Sequence, residues 1–500
     1  MDFLNQNCKE QEIALSEIQH RVKLNEEEMI RTLQELVAIK SVEESATEEF
    51  PFGVGVHNAL HYMLDKANAD GFQSLNVDEY GGHIEFGGTL YSEQGEVIGH
   101  EKETMGILGH LDVVPESDGW EYEPYAGEIV DGKMFGRGTS DDKGPLIAAY
   151  FAMRAIRDAG YEPQKKVRLI LGLDEETNWK GMEYYLKKVP AADFGFTPDS
   201  KFPVIHGEMG LLVFELAKKI NKSISKGLTF RSMSGGLAAN VVADHAKLLV
   251  RADSYDAIKE KLNTFKEETG YDLTARQRGK SLEIEAKGKT AHGAAPWKGL
   301  NAISVLMAFA KQIGFANEDV SDFIDFYNKH IGFETDGNSL GCRLSDDISG
   351  NLILNVGVAK VDEGAARLLI NVRYPLTVTE EQVFNGMKEI LESYNLGIIK
   401  LEHKDPLYRP VEDSMISTLM EVYQKYTGDV KSKPIVIGGA TYARSMPNTV
   451  AYGAMFPNEE DRMHQKNEYI SLESFKKATS IYAEAIFRLT NAKKISIDNK

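Results

Sequence analysis

The sequence predicts an α/β fold, a parallel or mixed sheet covered by helices with an α+β domain inserted into it, on three observations. Between Met105 and about Leu211 apolar runs alternate with amphipathic stretches as strand, helix, strand, helix, strand, with turn residues between them. From about Val213 to Lys400 the texture changes to strands in succession with fewer helices. Residues 405–500 then return to the first texture, so the middle reads as an insertion into one discontinuous domain of residues 1–212 and 405–500, with 213–404 inserted.

The N-terminus, MDFLNQNCKEQEIALSEIQHRVKLNEEEMIRTLQELVAIKSV, reads as charged amphipathic helices and lacks a basic segment followed by an apolar one. The run Met105–Leu108 is a buried strand that delivers His110 and Asp112 at its end. A helix is expected to start near Pro145, where a missing N–H costs nothing, and to end before Gly160, with Leu146, Tyr150, Met153 and Ile156 along one face. Leu169–Leu171 form the next buried strand. In the insertion, helices are predicted over 255–269, 300–313 and 380–394, with strands around 352–358, 367–372 and 398–401. That content suits two βαβ-type units. The last region holds a helix, VIGGATYAR, the strand TVAYGAM, an acidic loop with His464, and a terminal helix from about Ser471.

Composition narrows the function. The 500 residues include 57 Lys and Arg against 76 Asp and Glu, a formal charge of −19, which argues against nucleic acid or anionic lipid as a partner. No apolar run reaches the ~18 residues of a membrane span. Cys8 and Cys342 are the only cysteines, so there is neither a disulfide framework nor a thiolate metal site, as suits a reducing cytoplasm. Any metal must be held by His, Asp and Glu.

Such residues stand at the ends of apolar runs: His110 with Asp112, Asp141 with Asp142 in GRGTSDDKGP, Glu175 with Glu176 in LILGLDEET, Asp199 in FGFTPDS, and His464 in DRMHQKN. Each cluster alone is more often solvated surface or a capped loop than a ligand. Three acidic clusters each following a buried strand are harder to explain structurally, because unpaired carboxylates are costly there. Together they supply what two neighbouring divalent ions require: a shared carboxylate and one or two terminal ligands each. Neighbouring strand residues point to opposite sides, so Glu175 and Glu176 are expected to do different jobs.

GHLDVVP, GRGTSDDKGP, LDEET, the distant Asp199 and the late His464 resemble the di-metal aminoacylase/carboxypeptidase family over most of the chain. Within it, GGLAANVVAD, GKTAHGAAPWKGLNA, LLINVRYP and IGGATYAR are similar to the bacterial dipeptidases of the PepV type. The resemblance implies a mixed-sheet di-metal peptidase catalytic domain with an inserted α+β lid made of two ferredoxin-like units. It implies that Asp141 bridges the metals, that His110 and Asp199 complete one site and Glu176 and His464 the other, and that Asp112 orients His110. A cis Asp141–Asp142 peptide is implied too. Glu175 would be the general base toward a metal-bridging hydroxide, and His292 the oxyanion-binding residue of the lid.

Asn240 and Arg373 match substrate-contacting positions, with Arg373 suited to a dipeptide carboxylate, and Gly438 and Gly439 offer backbone N–H groups to the same carboxylate. From the pattern alone, Arg373 would be a structural ion pair and the Gly pair a turn. An insertion of about 190 residues is long enough to close the site within one chain, which points to a monomer acting on short peptides. The expected function is a metal-dependent dipeptidase for small unblocked dipeptides, β-Ala-X and X-His ones included. The alternatives are an N-acyl-amino-acid deacylase of desuccinylase or aminoacylase type on the same metal core, and a silent scaffold, which would have lost a ligand or base. The cofactor is two divalent ions, Zn²⁺ first, with Mn²⁺ or Co²⁺ also suited to one His plus carboxylates per ion.

Overall fold

The computed structural model describes residues 2–91, 97–221 and 228–494. The chain divides into two compact units, one of Met1–His206, Arg409–Ile435 and Thr441–Lys500, the other of Gly207–Tyr408 and Val436–Ala440. The segment Val436–Ala440, read from the sequence with the C-terminal region, thus packs with the second unit, and Gly438 and Gly439 go with it.

In the first unit the sheet runs Gln73–Asn76, Gly82–Phe86, Lys166–Gly172, Thr104–His110, Phe194–Thr197, Thr449–Ala451 and Ile205–Glu208, the strand along which the chain passes into the second unit and with which Leu407–Tyr408 and Ile435–Ile437 also pair. Lys166–Gly172, Thr104–His110, Phe194–Thr197 and Thr449–Ala451 are mutually parallel, and antiparallel pairing flanks them on both sides, so the sheet is mixed. Alternation along the strands feeds two cores. Ile107 and Leu169 face the larger one, with Leu146, Ile147 and Tyr482, whereas Leu108 and Ile170 face a smaller one with Met182, Tyr185 and Tyr442.

The helix Lys143–Asp158 is buried on almost every side, packed among Leu472–Leu489, Asp2–Leu24 and Glu26–Val37. That explains a sequence apolar nearly all round. It begins two residues before Pro145, which sits in the first turn where its missing N–H is one of the orphaned donors. The helix ends at Asp158, and Gly160 follows at φ +80, as a left-handed stop requires. The N-terminal helices are structural: Ile18, Leu33 and Leu36 are fully buried in the larger core.

The second unit is built on one antiparallel sheet of eight strands, in the order Asp272–Arg278, Ser281–Lys287, His245–Arg251, Thr229–Gly235, Ile353–Val361, Ala365–Tyr374, Gly210–Lys219, Gly397–Lys404. Its two four-stranded halves meet edge to edge through three residue pairs, Met233–Val361 to Gly235–Ala359. They share a single core, in which Leu212, Phe214, Leu248, Ile284, Leu368 and Ile370 face the helices. Those helices are Asp256–Thr269, Ala302–Ile313, Glu318–His330 and Glu380–Ser393. Glu318–His330 was not expected from the sequence, although Asn317 caps it and Val320, Phe323, Ile324 and Tyr327 give it a buried face. No helix among the described residues is long and apolar enough to cross a membrane.

Candidate metal centre

Parallel strands end together, and that brings the sequence clusters of the first unit to one place. His110 is the last residue of Thr104–His110, Glu175 and Glu176 lie in the turn after Lys166–Gly172, and Asp199 lies just past Phe194–Thr197. Asp141 precedes the helix at Lys143, and its peptide bond to Asp142 is cis. His464 comes from the loop before Tyr469–Ser471 and holds a left-handed φ of +62.

The ligand atoms of His110, Asp141 and Glu176 lie within 4.8 Å of one another, as do those of His110, Glu175 and Asp199. Asp141 stands between the two histidines, Oδ1 at 3.1 Å from His110 Nε2 and Oδ2 at 2.9 Å from His464 Nε2. Glu176 Oε1 is 3.0 Å from His464 Nε2, and Asp199 Oδ2 is 4.0 Å from His110 Nε2. The adjacent glutamates therefore face different partners. At the other ring nitrogen of His110, the carbonyl oxygen of Asp112 accepts at 2.9 Å and its carboxylate lies farther off, at 3.4 Å. The backbone of Asp112 thus orients the imidazole more closely than its side chain, whose Oδ2 instead accepts from the Glu176 N–H at 3.1 Å.

Charge in the cluster is unbalanced. Burial, then the neighbouring carboxylates, push Asp199 and Asp142 well above the carboxylate range. Glu175 is raised to about 8 for the same reasons, burial first. Burial works against the charged form of Asp141 too, but hydrogen bonds from His110 and His464 hold it low. Asp141 and Glu176 in turn raise His464 to about 10. The buried oxygens Asp112 Oδ1 and Asp142 Oδ1 have no hydrogen-bond partner. A pocket of crowded carboxylates, two imidazoles and no thiolate is short of positive charge, and its hard oxygen and imidazole donors fit two divalent ions.

Several supporting residues escaped the sequence reading. Glu468 is fully buried; Oε2 accepts from Arg137 at 2.6 Å, and Oε1 accepts from the N–H of Gly138, Ser140 and Asp141 and from the Ser140 hydroxyl. It therefore clamps the loop that carries Asp141. Lys143, also buried, donates to the carbonyls of Leu36 and Ile39, and burial brings its ammonium down to about 7. Tyr442 packs edge-on against His110 with ring centroids 6.3 Å apart, and Gly172 makes room for it, since a Cβ there would lie 2.4 Å from the phenol. Arg137 and Lys143, basic residues inside a Gly-rich turn beside two aspartates, were visible signals; Glu468 had none nearby.

The candidate substrate residues gather in the second unit. The Gly293 N–H donates to the Asn240 carbonyl at 2.6 Å, and Val241 pairs with His292 across an isolated bridge. Gly438 lies against Ala294 and Ile353, and Ile353 is the cross-strand partner of Arg373. Arg373 is buried, its Nε donating to Asn371 Oδ1 at 3.0 Å. Desolvation, and then the charge of Arg373, hold the His292 imidazole below its usual value. Gly439 follows Gly438 in the same turn.

Comparison with known proteins identifies the family. The sequence profile of peptidase family M20/M25/M40 matches residues 106–488. A Beta-Ala-Xaa dipeptidase of Lactobacillus delbrueckii subsp. lactis is 35% identical over 469 residues, 92% of this chain and 96% of that protein. Human carnosine dipeptidase 1 shares the fold at a TM-score of 0.54 and 16% identity, over 95% of this chain and 99% of its own. So does the aminoacylhistidine dipeptidase of Vibrio alginolyticus, at a TM-score of 0.54 and 14% identity, over 91% and 96%. The chain belongs to the M20/M25/M40 peptidase family and is a hydrolase acting on peptide bonds.

Proposed function

We propose that this peptidase is a metal-dependent dipeptidase that cleaves short unblocked dipeptides, β-Ala-X and X-His ones among them. The observation that carries the proposal is the convergence of His110, Asp141, Glu176, Asp199 and His464 around Glu175, in a chain 35% identical to a protein named for that activity. Asp141 is assigned to both metals, His110 and Asp199 to one, and Glu176 and His464 to the other. When bound, the two ions, for which Zn²⁺ is the first choice, polarise the scissile carbonyl and lower the pKa of water toward ~7.

The carboxylate of Glu175 takes a proton from the attacking water and returns it to the nitrogen of the leaving amine. Its burial beside other carboxylates supports this role, because such a group holds a proton readily near neutral pH. Asp112 keeps Nδ1 of His110 engaged so that Nε2 faces Asp141. Recognition is assigned to residues of the second unit: Arg373 and the N–H groups of Gly438 and Gly439 for the substrate carboxylate, His292 for the oxyanion, and Asn240 for the substrate. The enzyme is proposed to be monomeric, and cytoplasmic on the strength of two cysteines in 500 residues.

The test is a panel of free dipeptides, tripeptides and N-acyl amino acids, run on the parent and on Glu175→Ala, with elemental analysis of the gently purified protein. Dipeptide hydrolysis lost in Glu175→Ala is the expected result. Turnover confined to N-acyl amino acids would replace the dipeptidase reading with the deacylase one, and full activity in the variant would remove Glu175 as base.

A further inference from the structure

Outside the catalytic cluster, the first unit gathers a second group of metal-type donors that the peptidase chemistry does not use. His57 and His61 are four residues apart on the helix Val54–Ala69, so their imidazoles share one face, with ring centroids 4.2 Å apart. Glu79, in the turn between Gln73–Asn76 and Gly82–Phe86, reaches both: Oε2 lies 2.8 Å from His57 Nδ1 and Oε1 lies 2.9 Å from His61 Nε2.

The donor atoms of all three lie within 4.8 Å of one another. Asp78 and Glu79 both hold left-handed backbone, at φ +53 and +65, a conformation unfavourable to non-glycine residues that turns the carboxylate toward the helix. Asn76 fixes it there, its Nδ2 donating to Glu79 Oε1 at 2.6 Å and its Oδ1 accepting from the Glu79 N–H at 2.9 Å. A carboxamide that orients a carboxylate in this way is the kind of outer partner that metal ligands use.

We propose that His57, His61 and Glu79 form a third divalent-metal site, separate from the catalytic pair, that binds Zn²⁺ and ties the helix Val54–Ala69 to the turn before Gly82. Two imidazoles and a carboxylate are a three-residue donor set for a four-coordinate ion, with water completing the sphere. Donors around such an ion stand roughly 3.3 Å apart, so the present contacts need open by only a few tenths of an ångström. The side chains of His57, His61 and Glu79 are 25%, 42% and 23% exposed, which leaves the ion a path in and a face for water. Zn²⁺ fits better than Ca²⁺ or Mg²⁺, since two of the three donors are nitrogens.

The experiment uses the full-length chain loaded with excess Zn²⁺, freed of unbound metal by gel filtration and assayed for zinc per chain by plasma mass spectrometry. The parent is expected to retain one zinc more than His61→Gln or Glu79→Gln, while both variants keep the parent's peptidase activity. In a His110→Ala, Asp141→Ala chain, with the catalytic pair disabled, one zinc should remain, and adding His61→Gln should remove it. The 42% exposure of His61 makes that substitution tolerable to the fold, and circular dichroism checks it. Equal zinc content in the parent and His61→Gln overturns the proposal and leaves a His–Glu–His hydrogen-bond network, as does a catalytic-pair variant that holds none. Neither result bears on whether the enzyme cleaves dipeptides.

Discussion

Glu468→Ala is the sharpest test of how the centre is held together. The carboxylate is fully buried, accepts from Arg137 at 2.6 Å, and accepts from three backbone N–H groups and one hydroxyl of residues 138–141. Removing it takes the carboxylate from a guanidinium that is 1% exposed, lies over the Trp120 ring and otherwise donates only weakly, at 3.5 Å, to the Pro115 carbonyl. Breaking a buried pair from one side costs about 3–5 kcal/mol. At roughly 2 °C per kcal/mol for a domain of this size, thermal unfolding should fall by about 6–10 °C. Because the Asp141 N–H is one of the tethers, metal affinity should fall as well, by about 10–100-fold as for other outer-shell losses. Differential scanning fluorimetry and competition with a chromophoric chelator measure the two effects. In a double-mutant cycle, Arg137→Met added to Glu468→Ala should cost less than the sum of the single changes, with about 0.5–3 kcal/mol of coupling. A loss below about 1 kcal/mol for Glu468→Ala, or strict additivity in the cycle, would refute the reasoning.

Three further outcomes are expected. Glu175→Gln should lower kcat by about 10²–10⁴-fold at unchanged zinc content, and a matching loss of metal would mean that it acts as a ligand instead. Asp112→Ala and Asp112→Asn both keep the backbone carbonyl on His110 Nδ1, so each should weaken metal binding by less than the about 10–100-fold of a lost outer-shell partner; a full loss in both would make the carboxylate the true partner. His83, hydrogen-bonded to the Tyr185 hydroxyl at 2.7 Å, is brought down to about 4 by burial and then by the charge of Arg168. Between pH 6.5 and 4 the unfolded chain therefore binds the extra proton. The contribution is full above 6.5 and lost as pH falls toward 4, so in metal-stripped protein His83→Gln should flatten that part of the urea-midpoint profile. Parallel profiles for parent and variant would rule this out.

The elements that were legible in the sequence are those with strong local periodicity. Thr104–His110 is buried along its whole length, and the helices near 145–158, 256–269 and 380–393 declared themselves by apolar spacing. Glu318–His330 did not, because Asp319, Asp322 and Asp325 interrupt its apolar residues in the one-dimensional pattern, although Asp322 and Asp325 lie on the solvent side. Val436–Ala440 could not be assigned to its unit either: a short apolar run bounded by glycines carries no information about which sheet or core receives it.

By itself the sequence determined the kinds of donor and where along the chain they occur, since hard oxygens and imidazoles at strand ends without cysteine leave few other chemistries. It also determined the strand–helix alternation that makes a parallel or mixed sheet, because side-chain period is a local property. Only the tertiary structure decided the partners. Glu175 and Glu176 are adjacent, yet one turns toward Asp199 and the other toward His464, 288 residues further on. Glu468 has no local signature, and it matters only because folding buries it against Arg137 and the loop of Asp141. Likewise His57, His61 and Glu79 are ordinary surface residues until a helix and a left-handed turn bring their donors together. Burial and long-range pairing set the charge state and orientation of a side chain, and neither is encoded in its neighbours along the chain.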